Sequence, residues 1–476
     1  MRRTLFRSVA AISCALGAGA GAFLPPAHGA SRPRYGGTLR VKVQAHLDAL
    51  EPRHLLAESR EQTAAEKLLP LVFDRLVSRD ARGHPQPQLA TSWTQDAAYQ
   101  HWEFRLRPGA KFSDGTLLTA EIAAHALENS FAACKASASA AENVVFDCAA
   151  SNYDLLQDLA EPRNSISRRT ADGTLTGTGP FRVAEWQAKK RALLKANEND
   201  WRGRPFLDAV EVEMGVMPRE QVVALELGKA DVIEIVPEDA RRVSRGTLRT
   251  SASLANELLA IVFQPGRPAA VDARVREALA RSIDRAAIHA VLLQKQGELA
   301  GGLLPQWLSG YAFLFSPGQD LARSRELVAA LPAASRKLTL EYAPGDSMAG
   351  AIAERIAVNA RDAGLALQTL GQTRVNGQTP TADARLMRLH IEGLEPGRAL
   401  ERMVTAAMLT DGKHAAGPLA AEVVYAEEFN LLEGHQIIPL FHLPQIYGLS
   451  ARVKNWSPST AGEWRLGEIW VEAERR

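Results

Sequence analysis

The six residues Trp102-Glu103-Phe104-Arg105-Leu106-Arg107 alternate apolar and polar without exception, which only a half-buried β-strand satisfies. Pro108-Gly109 ends the run. Ser113-Asp114-Gly115-Thr116 then supplies a turn, because Asp and Gly suit its special backbone angles. Thr119 stands where it can cap a helix over 120–131, with Glu121 placed to complement the dipole in the first turn. Further strands are predicted at 38–43, 181–186, 193–197, 209–213, 232–236, 258–263, 338–342 and 437–441. Helices are predicted at 61–77, 219–227, 272–293 (divided near Ile283-Asp284-Arg285), 349–363, 399–409 and 419–432. The stretch from Cys134 to Asp172 is polar and weakly patterned and reads as loop. Gly177-Thr178-Gly179-Pro180-Phe181 lacks the spacing and the Gly-Lys-Ser of a phosphate loop and reads as a tight turn before a strand. Strands and helices therefore mix irregularly in an α/β architecture. No repeat and no Pro/Gly/Ser linker separates the parts, which suits domains that exchange strands.

At 476 residues the length implies about three domains, or two large ones, at roughly 150 residues each. With 46% hydrophobic and 23% charged residues, composition excludes a disordered, collagen-like or multi-span membrane body. Lys plus Arg is 56 against 54 acids, so no basic excess points to nucleic acid. The N-terminus has the layout of a cleaved secretory signal. Arg2, Arg3 and Arg7 precede an uncharged stretch over 8–24, then Pro25-Pro26 and a small-x-small site at Ala27-His28-Gly29. Arg2-Arg3 leaves general and twin-arginine export both open. Cys14 would be lost with the signal, leaving Cys134 and Cys148. In an exported protein such a pair tends to bridge, a link that would stabilise by roughly 3 kcal/mol; two buried thiols are the alternative.

Chemistry finds little support. The chain has no His-Glu-x-x-His, Gly-x-Ser-x-Gly or Cys-x-x-Cys, and its eleven histidines are dispersed. His435 and His442 flank an apolar run at a spacing that sets them on opposite strand faces, poor for joint metal ligation. Glu427-Glu428 reads as a solvated helix face. No enzyme activity, cofactor or metal is expected.

Several segments in one order carry a resemblance. They are Gly36-Gly37-Thr38-Leu39-Arg40-Val41, Leu47-Asp48-Ala49-Leu50-Glu51-Pro52, Val72-Phe73-Asp74-Arg75-Leu76-Val77 and Pro87-Gln88-Leu89-Ala90-Thr91-Ser92-Trp93. Then follow the stretch 102–121, Gly177-Thr178-Gly179-Pro180-Phe181, the stretch 197–207 with Trp201 and Pro205, Arg274-Val275-Arg276-Glu277-Ala278-Leu279, and Ile437-Ile438-Pro439-Leu440. Together they resemble the extracytoplasmic solute-binding proteins of peptide and nickel ABC importers, the oligopeptide- and dipeptide-binding type (family 5). The resemblance implies a two-lobed periplasmic-binding-protein fold with mixed sheets, two crossing hinge strands (258–263 and 437–441) and a ligand cleft between the lobes. It divides the chain into a signal peptide (1–29), a first part of lobe I (30–55), a shortened lobe I subdomain (56–174), a second part of lobe I (175–262), lobe II (263–436) and a return to lobe I (437–476).

Two departures bear on the ligand. The region 131–175 is short and lacks an evident V-x-F-x-L strand, and 371–399 is trimmed. In peptide-binding relatives the second region carries a Gly-Trp and an aspartate that holds the peptide's amino group. Here it reads Arg388-Leu389-His390-Ile391-Glu392-Gly393-Leu394-Glu395-Pro396, with Glu392 near the aspartate's place. The resemblance thus offers Glu392 and Arg388 for charged termini, His390 beside them, and Trp307 and Tyr311, after a Gly-Gly-Leu-Leu-Pro loop, as apolar walls. Core packing for the two aromatics and a solvent-facing Glu392 are the competing readings. The implied function is the periplasmic substrate-binding component of an ABC importer. As a monomer it would capture a peptide-like or other small solute by lobe closure and deliver it to the permease subunits. Nickel chelates, haem and oligosaccharides also fall within the family. An alternative is a degenerate member serving as an interaction or sensory module.

Overall fold

The computed structural model describes residues 32–52, 59–80, 83–244, 248–371, 382–391, 395–409, 419–457 and 463–472. The region read as a signal peptide and Glu392 both lie outside them. Residues Arg34–Arg476 form one compact unit.

Among the described residues an eleven-stranded mixed sheet forms the spine. Its order is Phe181–Gln187, Arg191–Ala196, Ala209–Glu213, Thr38–Lys42, Val232–Ile235, Ile437–Leu449, Arg249–Phe263, Ala384–His390, Lys337–Tyr342 and Ala366–Gly371, with Glu298–Leu299 added onto Ile437–Leu449. The two central strands are longer than expected, because both continue past the apolar runs that announce them. Arg249–Ala252 pairs with Ile446–Leu449, and Ala255–Val262 with Ile437–Pro444, with register shifts between Ala252 and Glu257. Tyr447 and Leu449 pack into a first core built on 39–73, 181–214 and 453–471. Leu258 to Phe263 and Ile437 to Leu443 pack into a second core instead, on both faces of the sheet. The same two strands run through both cores, and the changeover falls at 252–257 and 443–446, just outside the apolar runs 258–263 and 437–441. Residues 258–263 are almost wholly excluded from water, where each large side chain contributes roughly 1.5–3 kcal/mol.

A third core spans 76–166 and holds a separate sheet, ordered Ala90–Gln95, His101–Leu106, Asn143–Cys148, Cys134–Ala140. The loop expected over Cys134 to Asp172 is therefore a hairpin followed by the short helix Leu155–Leu159. Val144 and Phe146 are buried and fill this core, Phe146 edge-on to Phe104 at 5.6 Å. Cys134 and Cys148 face each other across the hairpin and are joined by a disulfide.

Local signals act as read in several places. Thr119 caps Ala120–Leu127 through its hydroxyl, accepting from Ile122 N at 3.3 Å, although the helix stops four residues short of Phe131. Asp284 interrupts the 272–293 helix and caps its second half, giving Ala273–Ser282 and Arg285–Val291. The first helix, Ser59–Val72, ends before 77, and Val77 opens a short strand. Gly179 N donates to Val72 O at 2.9 Å, and a Cβ on Gly177 would collide with the same oxygen. The Gly-Thr-Gly turn is thus a close packing junction.

Candidate functional site

Charged side chains interrupt apolar surroundings where the two lobes meet. On strand Ala384–His390, alternation puts Leu386, Arg388 and His390 on one face and Leu389 on the other. Leu386 fills the core beneath the helix Ser347–Asp362, whose N-cap is Asp346. Arg388 Nε donates to Asp346 Oδ2 at 2.6 Å and Nη1 to Glu257 Oε2 at 3.1 Å. Burial alone would lower the Arg388 pKa, but the Glu257 and Asp346 carboxylates hold it above its ordinary value.

His390 stands opposite Glu257 in the ladder, and its Nε2 lies 3.2 Å from Glu66 Oε2. Glu66 belongs to helix Ser59–Val72, whose Ala64, Ala65, Leu68 and Leu69 are set in the first core. The Glu66–His390 pair therefore joins one lobe to the other. Lys67, beside it, is buried and paired with Glu234, with Nζ 5.8 Å from the Tyr447 ring centroid and 5.9 Å from that of Trp464. Burial pulls the Lys67 pKa down, yet Glu234 outweighs it and the ammonium is held above its usual value. Glu234 also accepts from Gln44 N at 2.7 Å.

A seam of Glu234, Lys67, Glu66, His390, Glu257, Arg388 and Asp346 thus crosses the junction. Among these described residues, four carboxylates stand against two permanent cations, Lys67 and Arg388. Such an imbalance favours an incoming positive group. Asn256, at the changeover of Arg249–Phe263, adds a second feature. It is fully buried, and neither its amide nitrogen nor its oxygen has a hydrogen-bond partner. A buried polar group left in this way costs about 1–3 kcal/mol, so it calls for a further partner.

The sequence candidates do not form one constellation. Arg388 and His390 share the seam, whereas Trp307 and Tyr311 pack on the opposite side of the sheet. Trp307 Nε1 donates to Ala255 O at 2.9 Å, and its ring packs on the core formed by Leu258, Ala260 and Leu389. Tyr311 donates its hydroxyl to Glu428 and packs edge-on against Tyr425 at 5.3 Å. Glu428, expected on a solvated face, is fully buried and accepts from Leu303 N, Leu304 N (3.0 Å) and Tyr311. Burial pushes its pKa above the usual carboxylate range against the pull of these donors. A Cβ on Gly302 would stand 2.7 Å from Glu428 Oε1, so a larger residue there would push the carboxylate aside.

His435 precedes strand Ile437–Leu449, and His442 is buried with Nε2 3.0 Å from Leu303 O. The two share no site. Among the described residues no group of three or more His, Cys, Asp or Glu side chains is arranged to hold a metal, and no helix is long and apolar enough to cross a membrane. Sequence reasoning missed Glu66, Lys67, Asn256 and Glu257. Their signal was present: Glu66-Lys67 splits Ala64-Ala65 from Leu68-Leu69, and Asn256-Glu257 precedes an apolar run of six.

Residues 84–387, more than half of the chain, match the model of the bacterial extracellular solute-binding proteins, family 5. The nickel-binding periplasmic protein of Escherichia coli (strain K12) is 27% identical over 246 residues, covering 45% of this chain and 47% of that protein. The probable D,D-dipeptide-binding periplasmic protein DdpA of the same organism is 22% identical over 47% of this chain and 48% of its own length. The chain thus spans about half the length of these curated relatives. In three dimensions it is similar to NikA from Staphylococcus aureus in complex with Ni(L-His)2, with a TM-score of 0.76 at 18% identity, covering 91% of this chain and 100% of that one. It is also similar to the oligopeptide-binding protein AppA from Bacillus subtilis in complex with a nonapeptide, with a TM-score of 0.71 at 15% identity over 93% and 100%. These likenesses show the fold, and the family model adds the lineage. The chain belongs to the bacterial extracellular solute-binding proteins, family 5.

Proposed function

We propose that the protein is the extracytoplasmic solute-binding component of an ABC importer, acting without chemistry of its own. It captures a small solute between its lobes and hands it to the permease subunits. The observation that carries this reading is the seam itself, because Glu66 from the first lobe and His390 from the second meet beside the strand changeover. A solute seated there touches both lobes, so its binding energy favours their closure. The excess of carboxylate over permanent cation favours a solute with a positive group, and the free amino group of a peptide is the leading candidate. Asn256 offers such a solute one donor and one acceptor already stripped of water.

A thermal-shift screen tests the reading. Short peptides with a free amino terminus should raise the melting temperature, their N-acetylated counterparts less so, and Glu66→Gln should weaken the response at least about tenfold, the loss of one charge-assisted pairing. Equal responses to free and acetylated peptides would remove the amino group from the reading. A response confined to nickel chelates would move the solute class.

A further inference from the structure

The second lobe reaches the 76–166 module through a set of arginines. Helix Pro396–Ala406 buries Leu400, Met403 and Val404 in the second core. Arg398 and Arg402, one turn apart, lie toward the module. Arg398 Nη1 lies 3.3 Å from Asp154 Oδ1, and Nη2 pairs with Asp158 and lies 3.8 Å from Glu161 Oε1. Arg402 pairs with Glu161, which also has Arg163 at 2.7 Å and Arg79 at 3.9 Å. The acids are anchored separately, since Leu155, Leu159 and Ala160 between them sit in the module's own core. Glu161 is 5% exposed and the Arg398 side chain 14%, so closure takes these charges largely out of water. Burial accordingly lifts the Asp158 carboxyl above its usual range despite Arg398.

We propose that Arg398 and Arg402, gripping Asp154, Asp158 and Glu161, form an ionic clasp that keeps the second lobe against the 76–166 module without solute and so governs how readily the seam opens. This rests on the reading that a solute enters between the lobes. With all partners present, mutual attraction offsets much of the lost hydration. With the arginines removed, closure would bury Asp158 without its cation and leave Glu161 only Arg79 and Arg163, and the closed state becomes disfavoured.

The test uses the full chain, unfolded to strip any passenger, refolded and studied by small-angle X-ray scattering with no solute added. The wild type should scatter as this structure does. Arg398→Glu should enlarge the radius of gyration, and adding Asp158→Arg should restore it. Should the reversed variant fail to fold, Arg402→Gln read by hydrogen exchange over 155–159 probes the same contact, with faster exchange than wild type expected. An open wild type, unchanged scattering on charge reversal, or unchanged exchange in Arg402→Gln would overturn the clasp. Since no solute is present, these outcomes are independent of the solute reading, which stands or falls on the thermal-shift screen.

Discussion

Glu428 links helix Ala421–Glu433 to the loop 303–305, and removing its carboxylate has a consequence that can be worked out. Its Oε1 accepts from the Leu303 and Leu304 amides, and its Oε2 from the Tyr311 hydroxyl. In Glu428→Ala, the two buried amides of Leu303 and Leu304 lose their acceptor, while the half-buried Tyr311 hydroxyl can turn to water. Each unsatisfied amide costs about 1–3 kcal/mol, so the loop loses at least about 2 kcal/mol against local opening. At tenfold per 1.4 kcal/mol, the Leu303 and Leu304 amides should exchange with solvent at least about 25-fold faster. Glu428→Gln keeps a carbonyl oxygen for the amides and should stay within about tenfold of wild type. A pH dependence follows as well. The folded pKa is raised above the unfolded one, so the associated stability is complete below the unfolded value and lost as pH rises through the folded value. The glutamine variant lacks that loss and should gain on the wild type as pH rises. Residue-resolved hydrogen exchange decides it; wild-type exchange in Glu428→Ala, or an equal effect from glutamine and alanine, would refute the reasoning.

Three further outcomes are expected. Intact mass with and without reductant should show Cys134 and Cys148 bonded, and replacing both with serine should destabilise by roughly 2–4 kcal/mol in chemical denaturation; two free thiols in exported protein would contradict this. Burial lowers the His442 pKa to about 4, so its stability contribution is present above its unfolded value of 6.5 and is lost as pH falls from there toward 4, by up to about 3 kcal/mol; His442→Gln should flatten that slope in urea titrations. Asn256→Leu removes two unsatisfied buried atoms and should stabilise by about 1 kcal/mol or more while weakening peptide-induced thermal shifts; unchanged shifts would take Asn256 out of the solute's path.

The architecture was largely legible in the sequence because apolar runs and alternation announce most large-sheet strands, and polar caps announce several helices. Two kinds of signal failed for identifiable reasons. Strand Cys134–Ala140 has mostly exposed or half-exposed small and polar residues, and Asn143–Cys148 has three consecutive buried ones, so neither alternates. The crossing strand Ile437–Leu449 contains Pro439 and Pro444, which normally exclude a central strand. Both sit at irregularities of the ladder, where proline is tolerated. The candidate site was harder to read. Arg388 and His390 came from a resemblance, but their partners Asp346, Glu257 and Glu66 lie 42, 131 and 324 positions away along the chain. Glu428 looked solvated because its burial depends on a loop more than a hundred residues earlier. No local pattern encodes such distances.

The most direct test is native mass spectrometry of the protein purified from its own host, followed by denaturation to release a passenger. One stoichiometric small solute carrying a positive group is expected, lost or strongly reduced in Glu66→Gln. An empty protein that also stays flat against free peptides and nickel chelates would contradict solute capture at the seam.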